Sequence, residues 1–349
     1  MARHPRARLD IDQQRSSPDP RNLGAGHKEA AGLVGAGQAG EVEIAAVHDA
    51  SVAMNVQLDL FIDSRAVMLA NQAIAALSAR DVGLAASSLA TLRCEAADYP
   101  SLPALDVLTR ALGEWRRPAA DPAAIAGTVA WLEHEIAPAA QQGLGTAAQA
   151  FVGAFFHDLA EVARGLAYEV TRPTAHRAWL LLRCGEWADA EEAAYAIPRA
   201  NQTSDALHWL CVARYRQRGL GAARSALFVL GWLVPQRLAS TLAELGDELL
   251  DRDWQAFERA CEWETLEEAQ LPAWFPAWYL LEHPAVGKEL DNVAFPDSPP
   301  AHAARLLLHI LDLERHGNWR MLTVQREQLR VLNPDLFALY MRRRTVQYL

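Results

Sequence analysis

Five short stretches constrain this chain most strongly, because each has the pattern of a joint between two helices. RDVGLA begins at Arg80, GEWADA at Gly185, RGLGAA at Arg218, RDWQAF at Arg252 and GNWRML at Gly317. Each sets a Gly or Arg, a small or polar residue and an apolar anchor ahead of two variable positions and a further apolar residue. The last four begin 33, 34 and 65 residues apart, and the final interval is close to twice the other two. Between the joints Ala, Leu, Glu and Arg dominate, apolar residues follow helical spacing, and strand-like alternation is scarce. The expected class is all-α, built from stacked helix-turn-helix units with a period of about 34 residues. In DSRAVMLANQAIAALSARD, Asp63 or Ser64 is expected to cap a helix that carries Val67, Ala70, Ile74 and Leu77 on one face. Pro100, Pro198, Pro235, Pro272 and Pro334 are placed to follow second helices, where a missing N–H and a clash with the preceding turn stop the helix.

A period near 34 and joints similar to G-x-[YW]-x-x-A resemble the tetratricopeptide repeat family. GEWRRP at Gly113, 33 residues after the first joint, marks one further unit. Residues 119–170 keep helical composition without the joint signal, and 273–300 are rich in aromatics and proline. The resemblance therefore covers about two thirds of the chain, and complete family signatures are absent. It implies an α-solenoid over residues 64–349 that binds a protein partner through a groove or concave face. A structural subunit of a larger assembly, such as a secretion machine, and an all-helical enzyme are the alternatives from other classes.

Ahead of the repeats lies a leader, residues 1–53, without a sustained period of either 2 or 3.6, so disorder is expected. A second expectation makes this leader non-native, with Met54 as the true start. Within it, Gly35-Ala36-Gly37-Gln38-Ala39-Gly40 matches the dinucleotide fingerprint GxGxxG, but only Leu33 and Val34 precede it where a strand is required, so low complexity explains it better. Residues 54–63 then form an extended peptide. Gln57, Leu58, Asp59, Leu60 and Phe61 within it resemble the QL[S/D]LF pentapeptide through which bacterial replication and repair proteins bind the sliding clamp. An accessible strand-like segment, a register-setting amide and a Leu-Phe end that fills an apolar pocket meet the physical needs of such docking. The other reading packs Leu58, Leu60 and Ile62 on the first helix pair as a cap.

The 33 Lys and Arg against 43 Asp and Glu give a net charge of -10, which disfavours direct nucleic-acid binding. Cys94, Cys184, Cys211 and Cys261 form no CxxC pair and are expected as buried free thiols in a cytoplasmic protein. No apolar run suits a membrane span, and no secretory signal opens the chain. Candidate chemistry is thin, so no catalytic residue, cofactor or metal is expected. His157 and Glu161, with Asp158 beside them, share a helix edge but lack the further ligands an ion needs. His302, His309 and His316 repeat every seven residues, roughly 10 Å apart, and flank the buried side of their helix. Glu191 with Glu192, and Glu267 with Glu268, point apart and read as solvated helix faces, as do Arg342, Arg343 and Arg344. Trp274, Phe275, Trp278 and Tyr279 form the densest aromatic patch; they either line a peptide groove or fill the core, and the core reading is favoured.

Overall fold

The computed structural model describes residues 65–261, 268–290 and 293–347, all within Asp59–Leu349, one of the two units into which the chain divides. Among the described residues every regular element is helical, with no strand. The helices are α1 (65–78), α2 (Val82–Glu95), α3 (Leu102–Glu114), α4 (Pro122–Trp131), α5 (Ala137–Leu144) and α6 (Ala148–Val162). There follow α7 (Arg177–Cys184), α8 (Trp187–Tyr195), α9 (Ser204–Arg218), α10 (Leu220–Leu233), α11 (Pro235–Leu245) and α12 (Glu248–Ala260). The last four are α13 (Phe275–Glu282), α14 (Pro299–His316), α15 (Trp319–Leu332) and α16 (Pro334–Gln347). None of the described helices is long and apolar enough to cross a membrane.

Local chemistry sets most boundaries. Asp81 caps α2 by accepting the Leu84 amide at 2.9 Å, and Asp121 does the same for α4 from Ala124. Pro235 and Pro334 open α11 and α16 directly after α10 and α15 end. At that first position the missing amide would have had no partner within the helix. The joint at Gly185 is a Schellman ending: Glu186 N–H donates to Leu181 O at 3.0 Å and Gly185 N–H to Leu182 O at 3.2 Å. Gly185 sits at φ +82°, where a side chain would be strained.

Two details depart from the sequence expectation. In α1 Ala70 and Leu77 are buried and Ile74 is half-buried as expected, but Val67 is exposed and Ala66, Ala73 and Ala76 complete the buried face in its place. RDWQAF is no joint, because Arg252 lies inside α12, whose N-cap is Asp247 after Gly246. An apolar anchor two residues after an arginine serves a helix interior as well as a turn. The left-handed Gly246, at φ +63°, makes the real break. Pro272 likewise lies inside a 3-10 segment, Glu268–Trp274.

Helices pack chiefly on their neighbours in sequence, and further contacts join α7 to α9 and α9 to α11. Trp254, Phe257, Phe275, Trp278 and Tyr279 form an aromatic knot where α12 meets α13. A second aromatic group, Trp115, Trp131, Phe151 and Phe155, ties α3, α4 and α6, with the Arg80 guanidinium 4.8 Å above the Phe155 ring.

Candidate functional site

A cleft of about 590 Å3 opens on the helices that precede three glycine joints. α7, α9 and α11 lead into Gly185, Gly219 and Gly246 and form one side; α5 and α6 form the other. Between α4 and α5 the chain widens into a π turn, Leu132–Ile136, in which Ala137 N–H donates to Leu132 O. This turn contributes Glu133 to the cleft wall.

Phe156 and Trp209 are buried in the cleft floor, while Trp179 and Trp187 are half-exposed at its sides. The Arg183 guanidinium lies 5.3 Å from the Phe156 ring and 5.5 Å from that of Trp179, and its terminal nitrogen stands 3.3 Å from Glu133. Across the cleft, His208 Nδ1 donates to Thr241 Oγ1 at 2.9 Å, since the single Thr241 proton is committed to Arg237 O. His208 Nε2 stands 3.1 Å from Glu244 Oε2. That contact, with Arg183 and Arg237 nearby, holds the Glu244 carboxyl below its usual range. Arg216 donates to the Glu244 carbonyl at 3.1 Å. The result is an aromatic trough with charges of both signs at its rim.

Beneath the trough, His176 caps α7 by accepting the Ala178 amide on Nδ1 at 3.2 Å, and its ring stacks on Trp209 at 5.6 Å between centroids. The accepting Nδ1 requires a neutral ring. Burial first, and then Arg177, push its pKa down to about 4. Below the ordinary histidine value of about 6.5 the unfolded chain takes up a proton that the folded chain refuses, so stability falls as pH drops from there toward 4. In urea unfolding, wild type should lose on the order of 2 kcal/mol more than His176→Asn between pH 7.5 and pH 4.5. The Asn side chain keeps the capping acceptor without the titration. Equal losses in the two proteins would refute the assignment.

No family model, curated protein or solved structure matches the chain.

The sequence candidates fare differently. Gln57, Leu58, Asp59, Leu60 and Phe61 lie outside the described residues, as do residues 1–53 and Glu267. Trp274, Phe275, Trp278 and Tyr279 are at most 5% exposed, and the last three belong to the knot between α12 and α13, in line with the core reading. α13, which carries Phe275, Trp278 and Tyr279, packs against α10, α12 and α14. His302, His309 and His316 are exposed along α14. Glu161 pairs with Arg164 and Arg177. Asp158 accepts from Trp115 Nε1 at 3.0 Å and from Arg117 at 2.6 Å, which ties α6 to the end of α3.

Three expectations are corrected. Glu191 is no solvated carboxylate, because it binds Arg214 at 2.8 Å and Arg218 at 2.6 Å and so joins α8 to α9. Arg344 is no solvated side chain, since it is largely buried and pairs with Glu314, whereas Arg342 and Arg343 are exposed as expected, Arg343 also binding Glu282. Of the four thiols only Cys211 and Cys261 are buried; Cys184 is half-buried and Cys94 exposed. The trough itself was missed, because its walls come from five helices spread between Ala137 and Leu245. The one local signal was the joint pattern, whose glycines Gly185 and Gly219 end α7 and α9.

Proposed function

We propose that this chain is a non-enzymatic adaptor, an α-solenoid of tetratricopeptide-like units that takes an extended peptide of a protein partner in the α7/α9/α11 trough. The observation that carries the reading is the alignment of first helices along one cleft, with the joints Gly185 and Gly219 spaced 34 residues apart. Half-exposed Trp179 and Trp187 offer aromatic contact area at low entropic cost, and Arg183 and Glu133 flank them with opposite charges. Against an enzyme stands the way the titratable groups at the rim are engaged with one another, as in Glu133 with Arg183 and His208 with Glu244. The QLDLF peptide adds a second contact in this proposal, recruitment to the bacterial sliding clamp, which brings an acidic protein to DNA without touching it.

One binding experiment has two arms. Random 12-residue peptides displayed on phage should yield a consensus that binds the full chain, and Trp187→Ala and Arg183→Glu should each weaken it at least about tenfold. No consensus, or a consensus indifferent to both substitutions, would remove the trough from the proposal. In the second arm, a labelled 54–65 peptide and the full chain should both bind a bacterial sliding clamp by fluorescence anisotropy and lose binding on Gln57→Ala with Phe61→Ala. Binding by the peptide alone would make the segment a cap, and binding by neither would end the clamp reading.

A further inference from the structure

A second cavity, about 460 Å3, lies on the other side of α6, against the joint between α7 and α8. Three different ligand types meet at its wall: His157 from α6, Cys184 at the end of α7 and Glu186 just beyond Gly185. Their ligating atoms all lie within 4.8 Å of one another. This convergence is independent of the peptide-binding reading and involves none of the residues that wall the trough.

The local chain geometry explains the arrangement. The Schellman ending pins both residues flanking Gly185, because Glu186 N–H and Gly185 N–H are tied back to Leu181 O and Leu182 O. The left-handed glycine reverses the chain between Cys184 and Glu186, so that a thiol and a carboxylate two residues apart reach the same cavity. α6 passes close by: a Cβ on Gly153 would stand 3.6 Å from Cys184 Cα, and no side chain at 153 separates His157, one helical turn later, from the joint. His157 Nδ1 stands 2.6 Å from Glu186 Oε1, and Cys184 Sγ donates to Leu181 O at 3.3 Å. His157 and Glu186 remain partly open to solvent, at 48% and 38% side-chain exposure, so an ion has a path in.

We propose that His157, Cys184 and Glu186 bind a thiophilic divalent transition-metal ion, Zn2+ being the type, as a staple between α6 and the α7–α8 joint. A thiolate, an imidazole and a carboxylate form a donor set suited to zinc, whose bonds of roughly 2.0–2.3 Å put its ligand atoms about 3.3–3.7 Å apart. The three atoms therefore need only side-chain rotation to close on one ion, which replaces the His157–Glu186 hydrogen bond. The fourth position faces the cavity and takes water. Burial, and secondarily Glu186, push the Cys184 thiol up to about 11, so the free protein carries it protonated at neutral pH. As the sulfur–metal bond forms, the S–H bond breaks and its proton leaves to solvent, with no change of oxidation state.

The test uses chelator-treated full-length protein. Zn2+ titrated against a chromophoric chelator, and Co2+ followed by absorption, should each report one site, with a thiolate-to-Co2+ charge-transfer band in the near ultraviolet. Cys184→Ser should abolish that band, and His157→Ala, Cys184→Ser and Glu186→Gln should each weaken Zn2+ at least about tenfold. Glu161→Gln, on the same helix but turned to Arg164 and Arg177, should bind as wild type. Circular dichroism of the metal-free variants checks that the helices persist, and Zn2+ should raise the melting temperature of wild type and Glu161→Gln more than that of the three ligand variants. Absence of a wild-type site, or binding that survives all three substitutions and so resides elsewhere, would overturn the proposal.

Discussion

Phe275→Ala should cost about 3–5 kcal/mol of unfolding free energy, which is a large share of the ~5–15 kcal/mol that holds a typical domain together. The Phe275 ring is wholly buried, with Trp254 at 5.2 Å, Phe257 at 5.5 Å, Tyr279 at 5.6 Å and Trp278 at 6.1 Å between centroids. Truncation removes the transfer free energy of the ring and leaves a cavity among bulky, mutually braced neighbours that cannot collapse into it. Phe275→Leu keeps most of the volume and should cost roughly half as much, so it stays measurable if the alanine variant does not fold. Denaturant titration monitored by far-ultraviolet circular dichroism gives both numbers. A groove-lining aromatic would behave oppositely, with stability nearly unchanged on truncation, and that result would return Phe275 to the partner surface.

Glu314→Ala is expected to cost about 3 kcal/mol, because it strips three helices of a shared acceptor. The Glu314 side chain is 8% exposed on α14. Tyr340 of α16 donates its hydroxyl to Glu314, Arg326 of α15 donates to it at 3.0 Å, and Arg344 of α16 is paired with it at 3.0 Å. Arg326 also donates to the Tyr340 oxygen at 2.6 Å. Burial first, and then Glu314, hold the Tyr340 phenol well above its usual range, so it stays protonated and can donate. Alanine would strip the half-buried Arg326 guanidinium and the Tyr340 hydroxyl of this carboxylate, which is the costly way to break a buried pair. Glu314→Gln retains an acceptor and should lose about half as much. Glu327→Ala, which removes an exposed pair with Arg330 one turn away on α15, should leave stability nearly unchanged. Equal losses at Glu314 and Glu327 would show that the α14–α16 cluster is no more than a surface pair.

Both residues illustrate what a linear reading misses. LPAWFPAWYLLEHP announces aromatic bulk, but burial was decided by α10, α12 and α14, which pack around α13. Glu314 sits in LDLERHG like any surface glutamate, and only the approach of Tyr340, 26 residues later, makes it a core acceptor. The same holds for the metal-ligand cluster. His157 was legible as a lone candidate on a helix edge, but its expected companion Glu161 turned to arginines. Its actual neighbours arrived from a joint 27 and 29 residues on.

The sequence by itself determined the helical class and most helix ends. Those depend on short-range facts: apolar spacing, the conformational freedom of Gly185 and Gly317, the capping carboxylates Asp81 and Asp121, and the missing amides of Pro235 and Pro334. Tertiary structure decided which of the similar joints were real. Burial of Leu250 and Phe257 holds RDWQAF inside α12, whose start at the Asp247 cap is itself a local feature. It also decided the sites. The α7/α9/α11 trough and the His157–Cys184–Glu186 cluster depend on contacts between residues far apart in sequence, and a pattern that repeats every turn of helix carries no record of which turns will meet.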